Sequence, residues 1–232
     1  MLVLVDLDDT LCNTWEAGKY TILRLIPFLL KRRKFKAFFY ILTARYRELE
    51  QSREFHMMDL DKIVENLLEK VYAKISPNEL EEMQELIDRV FFSNLRLFPD
   101  AAPFLEALKH MGAKVVLVTD SSTRWQRKKL EYLGIKDYFD ALIISGETGH
   151  SKLDPHNFRL ARRLFPHEDE VYMVGDRDDT DMRGGKEIGA TTILVGRGYF
   201  KGRRPKHADY VVRNLIEALE VMRNEHEKRA EA

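Results

Sequence analysis

Five short apolar runs punctuate the chain: Leu2–Val5, Lys114–Val118, Ala141–Ile144, Val171–Val174 and Thr191–Val195. None alternates apolar with polar residues, so each reads as a strand buried on both faces of a parallel sheet. Between them, Pro103–Met111, Arg124–Leu133, Asn157–Leu164 and Met182–Ile188 carry apolar residues at helical spacing. Asn214–Arg223 reads as a closing amphipathic helix, and the charged tail after it is expected to fray. This alternation predicts an α/β fold with a Rossmann-like, doubly wound parallel sheet.

One interval breaks the pattern, because more than eighty residues separate the first run from the second. An ordinary crossover needs far fewer. From Trp15 to Leu95 there is no glycine after Gly18, and Leu60–Ile75 and Pro77–Phe92 show long helical periodicity. The expected organisation is therefore an α/β core formed by residues 1–14 and 96–232, with residues 15–95 inserted as an all-helical cap. Within the insertion, Tyr20–Leu42 is interrupted by Pro27 and carries Lys31, Arg32, Arg33, Lys34 and Lys36. That is too much charge for a bilayer span, which takes about 20 mostly apolar residues. It reads as a lid with an apolar inner face and a solvated basic outer face, with a membrane-surface or partner-binding helix pair as the competing reading. The stripe Met57, Met58, Leu60, Ile63 and Leu67 is expected to be core packing.

Polar chemistry gathers just after the strands. Asp6-Leu7-Asp8-Asp9-Thr10 follows the first, Thr119-Asp120-Ser121-Ser122 the second, Ser151-Lys152-Leu153-Asp154 comes after the third, and Gly175-Asp176-Arg177-Asp178-Asp179-Thr180-Asp181 ends the fourth. In an open parallel sheet all four loops border the crevice at the carboxyl ends of the strands. Crowded carboxylates repel one another unless a cation neutralises them, and a hard cation with oxygen ligands, above all Mg²⁺, answers that need. Hydroxyls and free N–H groups at the helix start after Thr119 suit a phosphate, and Lys152 would neutralise it as a point charge. Taken one at a time, these loops are also explained by helix caps, a solvated lysine or a tight turn. Their coincidence on one rim is what points to chemistry.

Bulk properties narrow the classes. The 38 basic and 38 acidic side chains cancel, leaving no global field for nucleic acid. Cys12 is the only cysteine, so no internal disulfide forms, and no Cys/His cluster has zinc-like spacing. Leu2–Val5 is too short a run before Asp6 for a signal peptide, and the protein is expected to be cytoplasmic. Charged residues make up 33% of the chain, above the roughly 25% typical of soluble proteins, and Gln and Asn are scarce. That leans towards a heat-adapted source.

With these four loops in place, the sequence resembles the haloacid dehalogenase superfamily, whose motifs are an Asp-x-Asp-x-Thr loop, a strand-end Thr or Ser, a Lys, and a Gly-Asp loop with a second Asp. The likeness covers the core, including Leu130–Ser145 and Val174–Gly198, whereas the insertion matches a family cap in position only. It implies Asp6 as nucleophile, Asp8 as general acid and then base, and Thr10 as a support of the loop. It further implies Thr119, Asp120 and Lys152 around the phosphate, a Mg²⁺ cofactor bound by Asp6, Asp176 and the Asp8 carbonyl, and Asp181 as a support behind them. Two departures are Leu153, where the family often has Pro, and Asp120, where it often has Asn.

The resemblance thus implies a Mg²⁺-dependent phosphatase acting on a small phosphorylated metabolite through a phospho-aspartyl intermediate, a monomer or homodimer with no stable membrane insertion. Asp8 argues against dehalogenase and phosphonatase chemistry, since those relatives lack a carboxylate two residues after the nucleophile. A phosphomutase uses the same pair of aspartates and stays open. So does a catalytically idle scaffold that binds a partner or membrane through the basic insertion.

Overall fold

The computed structural model describes residues 1–35, 58–70 and 76–230. Six parallel strands form one sheet: β1 (Leu2–Val5), β2 (Lys114–Thr119), β3 (Ala141–Ile144), β4 (Val171–Gly175), β5 (Thr191–Val195) and β6 (Tyr210–Val212), in the order β3-β2-β1-β4-β5-β6. The apolar runs are continuous because both faces are covered. Val3, Val5, Val115, Leu117 and Val174 point into one buried cluster, while Leu2, Leu4, Val116, Val118 and Met173 point into another. Against the first face pack Phe104 and Leu108 of a helix over Ala101–His110 and Leu215, Ala218 and Met222 of a helix over Leu215–Ala230. The second face receives Phe158 and Ala161 from a helix over His156–Leu164.

Strand order reverses at β1, whose neighbours are β2 and β4. Val5 pairs with Leu117 on one side and Val174 on the other. The loops after β1, β2 and β4 are thereby adjacent at the switch point, where such sheets open a ligand crevice.

All regular structure described between Thr14 and Asn94 is helical, as expected: α1 (Thr14–Lys31), α2 (Leu60–Lys70) and α3 (Pro77–Asn94). Pro27 does not break α1, which continues to Lys31. At the start of α3, Ser76 Oγ accepts the Glu79 N–H at 3.3 Å and Glu79 Oε2 accepts the Ser76 N–H at 2.9 Å, with Pro77 in the first helical position. Leu25 and Leu29 of α1 share a buried cluster with Met83 and Ile87 of α3. The basic face is less solvated than its composition implies. Arg32 pairs with Glu82 and Glu79, and Lys34 lies 3.5 Å from Glu79. Lys36 and Met57 lie outside the described residues, as does the expected helical stretch from Val71 to Ile75.

The insertion joins the core through two chain segments that are hydrogen-bonded to each other. The Phe98 N–H donates to Leu11 O at 2.9 Å, the Asn13 N–H to Arg96 O at 3.0 Å, and the Arg96 N–H to Asn13 Oδ1 at 2.7 Å.

The remaining helices are α4 (Ala101–His110), α5 (Thr123–Leu133), α6 (Ser145–Thr148), α7 (His156–Leu164), α8 (Arg183–Lys186) and α9 (Leu215–Ala230). Three features depart from the pattern-based expectation. β6 is a three-residue edge strand with Val211 58% exposed, too short and too open to show as a buried apolar run. α4 begins at Ala101, placing Pro103 in its first turn, where a missing N–H costs nothing. The C-terminal tail, expected to fray after Arg223, stays helical to Ala230. Glu225 accepts the Tyr210 hydroxyl at 2.7 Å, and the His226 ring lies 2.7 Å from Glu170. Among the described residues, no helix is long and apolar enough to cross a membrane.

Gly184 of α8 lies flat against the buried Phe158 ring, and a Cβ at that position would sit 2.1 Å from Cε2. A Gly184→Ala variant is expected to lower stability by about 1–3 kcal/mol through overpacking. Urea unfolding checks this, as a fall in midpoint at unchanged slope.

Candidate active site

β1 delivers its chain directly to Asp6, which is 3% exposed, and the Asp6 N–H donates to Val174 O at 3.0 Å. Beyond it the backbone folds back, with Leu7 O accepting from Leu11 N at 2.9 Å and Cys12 N at 3.2 Å. Asp9 takes a left-handed conformation with φ of 58°, which Asp tolerates better than most residues, and accepts the Trp15 N–H at 2.9 Å. Thr10 is fully buried and its hydroxyl reaches Asp6 Oδ2 at 3.4 Å.

Lys152 lies at the centre of the acidic group. Its ammonium donates to Asp6 Oδ1 at 2.6 Å and to Asp181 Oδ1 at 2.7 Å. Asp181 sits on a π-helical turn over Asp178–Met182 and accepts the Arg177 N–H through Oδ2 at 3.1 Å. Gly175 makes this possible, since a Cβ there would sit 2.3 Å from Asp181 Oδ2. Asp178, from the same acidic run, faces away and accepts the N–H groups of Lys206, His207 and Ala208.

The electrostatics follow from burial. Desolvation pushes Asp6 up to about 7, with the neighbouring charges of Asp181 and Asp8 adding to it against the pull of Lys152. Asp176 is raised well above the carboxylate range by burial and by Asp6, Asp181 and Asp9. Burial likewise lifts Asp9 to about 6. Desolvation works against the charge on Lys152, but Asp181, Asp6 and Asp120 outweigh it and hold its pKa above the ordinary lysine value. Asp6, Asp176 and Asp181 each offer an oxygen, all within 4.8 Å of one another. More carboxylate charge converges here than Lys152 alone can balance, and an all-oxygen donor set suits a hard divalent cation.

Asp6, Asp8, Thr119, Asp120, Lys152 and Asp176 line one cavity at this rim. Thr119 is fully buried and its hydroxyl accepts from Gln126 Nε2 at 2.7 Å. Asp120 is the one whose expected contact with phosphate needs revising. Its carboxylate accepts the Lys152 N–H at 2.9 Å, and an anionic side chain cannot itself hold a phosphoryl oxygen, so its side chain positions the lysine loop instead. Asp8 differs from Asp6 in environment. Burial would raise its pKa, but Lys129 overrides burial and holds it below the usual range, aided by hydrogen bonds from Thr14 and Gln126. Lys129 Nζ donates to Asp8 Oδ1 at 2.6 Å and Gln126 Nε2 to Asp8 Oδ2 at 2.7 Å.

Lys129 and Gln126 carry no distinguishing signal in the sequence, because they lie among the polar residues of an amphipathic helix, α5, where a solvated side chain is the default. Only their spacing relative to Ser122 hinted that both sit on its inner face. Arg197 carries no such signal either. It pairs with Asp100 at 2.8 and 3.0 Å and donates to Thr10 O, tying the loop after β5 to the loop after β1.

A family model described as haloacid dehalogenase-like hydrolase matches residues 1–189. A glyceraldehyde 3-phosphate phosphatase of Methanopyrus kandleri is 31% identical over 214 residues, covering 90% of this chain and 89% of that protein. A phosphoserine phosphatase of Thermus thermophilus is 28% identical over 226 residues, covering 85% and 89%. The crystal structure of a phosphatase of the same superfamily from Thermococcus onnurineus superimposes with a TM-score of 0.72 at 25% identity, covering 95% of this chain and 97% of that one.

The side chain of Lys129 is 2% exposed and that of Asp8 28% exposed, so each leaves the other as a poorly compensated charge when removed. In a double-mutant cycle of Lys129→Met and Asp8→Asn, the two losses of stability are expected to be non-additive by about 1–3 kcal/mol. Guanidinium denaturation of the four proteins measures the coupling, and additive losses would show that the pair does not interact.

Proposed function

The chain belongs to the haloacid dehalogenase-like hydrolases and is a phosphatase of phosphate monoesters, and we propose that it works with Mg²⁺ through a phospho-aspartyl intermediate on Asp6. The observation that carries this reading is the convergence of Asp6, Asp176 and Asp181 at the switch point of the sheet, with Lys152 bonded to the first and last of them. Asp6 attacks phosphorus while the bond to the leaving oxygen breaks, and Asp8 passes that oxygen a proton. A water then attacks the acyl phosphate. Asp8 takes the water's proton, inorganic phosphate leaves, and the Asp6 carboxylate is restored.

Lys152 pairs with Asp6 and offsets phosphoryl charge, while Thr119 donates its hydroxyl to a phosphoryl oxygen. Asp6, Asp176 and the Asp8 carbonyl would hold the metal, which supplies positive charge beside the phosphoryl oxygens. Asp181 stands behind them, because Lys152 and the Arg177 N–H already occupy its two oxygens. Residues 15–95 form the cap, and the paired segments at Leu11–Asn13 and Arg96–Phe98 are its hinge. The substrate is a small phosphorylated metabolite.

Hydrolysis of p-nitrophenyl phosphate is expected to vanish with chelator and to return with Mg²⁺ but not with Ca²⁺, whose larger, bidentate coordination ties up the nucleophile. Asp6→Asn should abolish turnover. Asp8→Asn should release a burst of nitrophenol and then turn over about 10²–10⁴-fold more slowly, because a good leaving group needs no proton whereas water does need activation. Stopped-flow absorbance and intact-mass detection of a phosphoryl adduct are the measurements. Full activity after exhaustive chelation, or an Asp8→Asn variant with neither burst nor adduct, overturns the mechanism.

A further inference from the structure

The floor of the site is polar and its walls are not. Above Asp6 lies a cavity of about 280 Å³, near the small end of ligand pockets, which run from roughly 300 to 1,000 Å³. One part of its lining is aromatic: Trp15 of α1 packs on Tyr199 with ring centroids 4.6 Å apart, and Phe200 lies 5.1 Å further on. Elsewhere Phe91 and Trp125 meet at 5.0 Å, beside Ile22, Met58 and Ile63. Met58 and Ile63, expected to be core packing, are half-buried and face this space.

Among the described residues, the cationic ones that line the cavity are Lys152, Lys129 and Arg177, and each is engaged. Lys152 bonds Asp6 and Asp181, Lys129 bonds Asp8, and Arg177 pairs with Asp179 while its guanidinium lies 4.4 Å from the Phe200 ring centroid. Arg203 lies over the Tyr199 and Phe200 rings, at 5.2 and 4.3 Å, and is not part of the lining. Among the described residues, a second anionic group on a substrate would enter a space shared with Asp6, Asp8, Asp9 and Asp176 without a cation in reserve. An apolar group would instead bury its surface against rings and aliphatic side chains.

We propose that this cavity selects phosphate monoesters whose leaving alcohol is uncharged and apolar, about the size of one aromatic ring. The proposal rests on the phosphatase reading above and adds the substrate class. It sets this chain apart from relatives named for a phosphorylated aldehyde or amino acid.

The test is phosphate release by the full chain with Mg²⁺ from three primary alkyl esters, so that leaving-group demands are alike: 2-phenylethyl phosphate, glycerol 3-phosphate and 3-phosphoglycerate. The expected kcat/KM for 2-phenylethyl phosphate exceeds both others by about tenfold or more, the scale on which apolar pockets discriminate. Tyr199→Ala should raise KM for the phenylethyl ester several-fold more than for glycerol 3-phosphate. Ile63→Lys, which adds a cation to the lining, should shift preference towards 3-phosphoglycerate by about tenfold. Equal or faster turnover of glycerol 3-phosphate or 3-phosphoglycerate by the unaltered protein overturns the substrate class. Failure to release phosphate from any ester, p-nitrophenyl phosphate included, overturns the phosphatase reading itself.

Discussion

Four carboxylates, those of Asp6, Asp9, Asp176 and Asp181, are drawn together at the ends of two adjacent strands, and the repulsion among them is the constraint around which the rest is organised. Buried charge of one sign is costly unless it is paired and hydrogen-bonded. Lys152 bridges two of the four, Asp120 fixes the loop that carries it, and Gly175 leaves room for Asp181 to reach it. Arg197, pulled in by Asp100, ties down the loop that bears Thr10. The strand order serves the same end, because the reversal at β1 sets β4 beside it and makes neighbours of Asp6 and Asp176, which are distant in sequence.

The two leading aspartates show how environment separates chemically identical groups. Burial pushes Asp6 up, with Asp181 and Asp8 adding to it against the pull of Lys152, whereas Asp8, two residues on, is held below the usual range by Lys129 in spite of its burial.

Most of the core was legible in the sequence because parallel strands buried on both faces announce themselves as unbroken apolar runs. Asp6, Thr119 and Asp176 could be placed because each ends such a run. What stayed hidden carried no pattern of its own. β6 is too short and too exposed at Val211 to make a run, and the end of α9 is held by contacts from Tyr210 and Glu170 that are distant in sequence. Lys129 and Gln126 look like surface residues of a polar helix until the fold turns that face towards Asp8. Met58 and Ile63 look like core until the fold leaves a space in front of them. Lys36 and Met57 lie outside the described residues.

The hydrogen bonds that join Leu11 and Asn13 to Arg96 and Phe98 have a consequence for how such a chain can diversify. To the sheet, the whole excursion from Thr14 to Leu95 is equivalent to a tight turn, since its entrance and exit are fastened to each other whatever lies between. Closing a longer or shorter excursion at the same two points costs only about 0.6 kcal/mol for each doubling of length. Trp15, Ile22, Met58, Ile63 and Phe91 of the cavity wall come from that excursion, while the acidic floor belongs to the loops of the sheet. In the descent of a chain built this way, the choice of substrate can be rewritten many times over while the reaction is inherited intact.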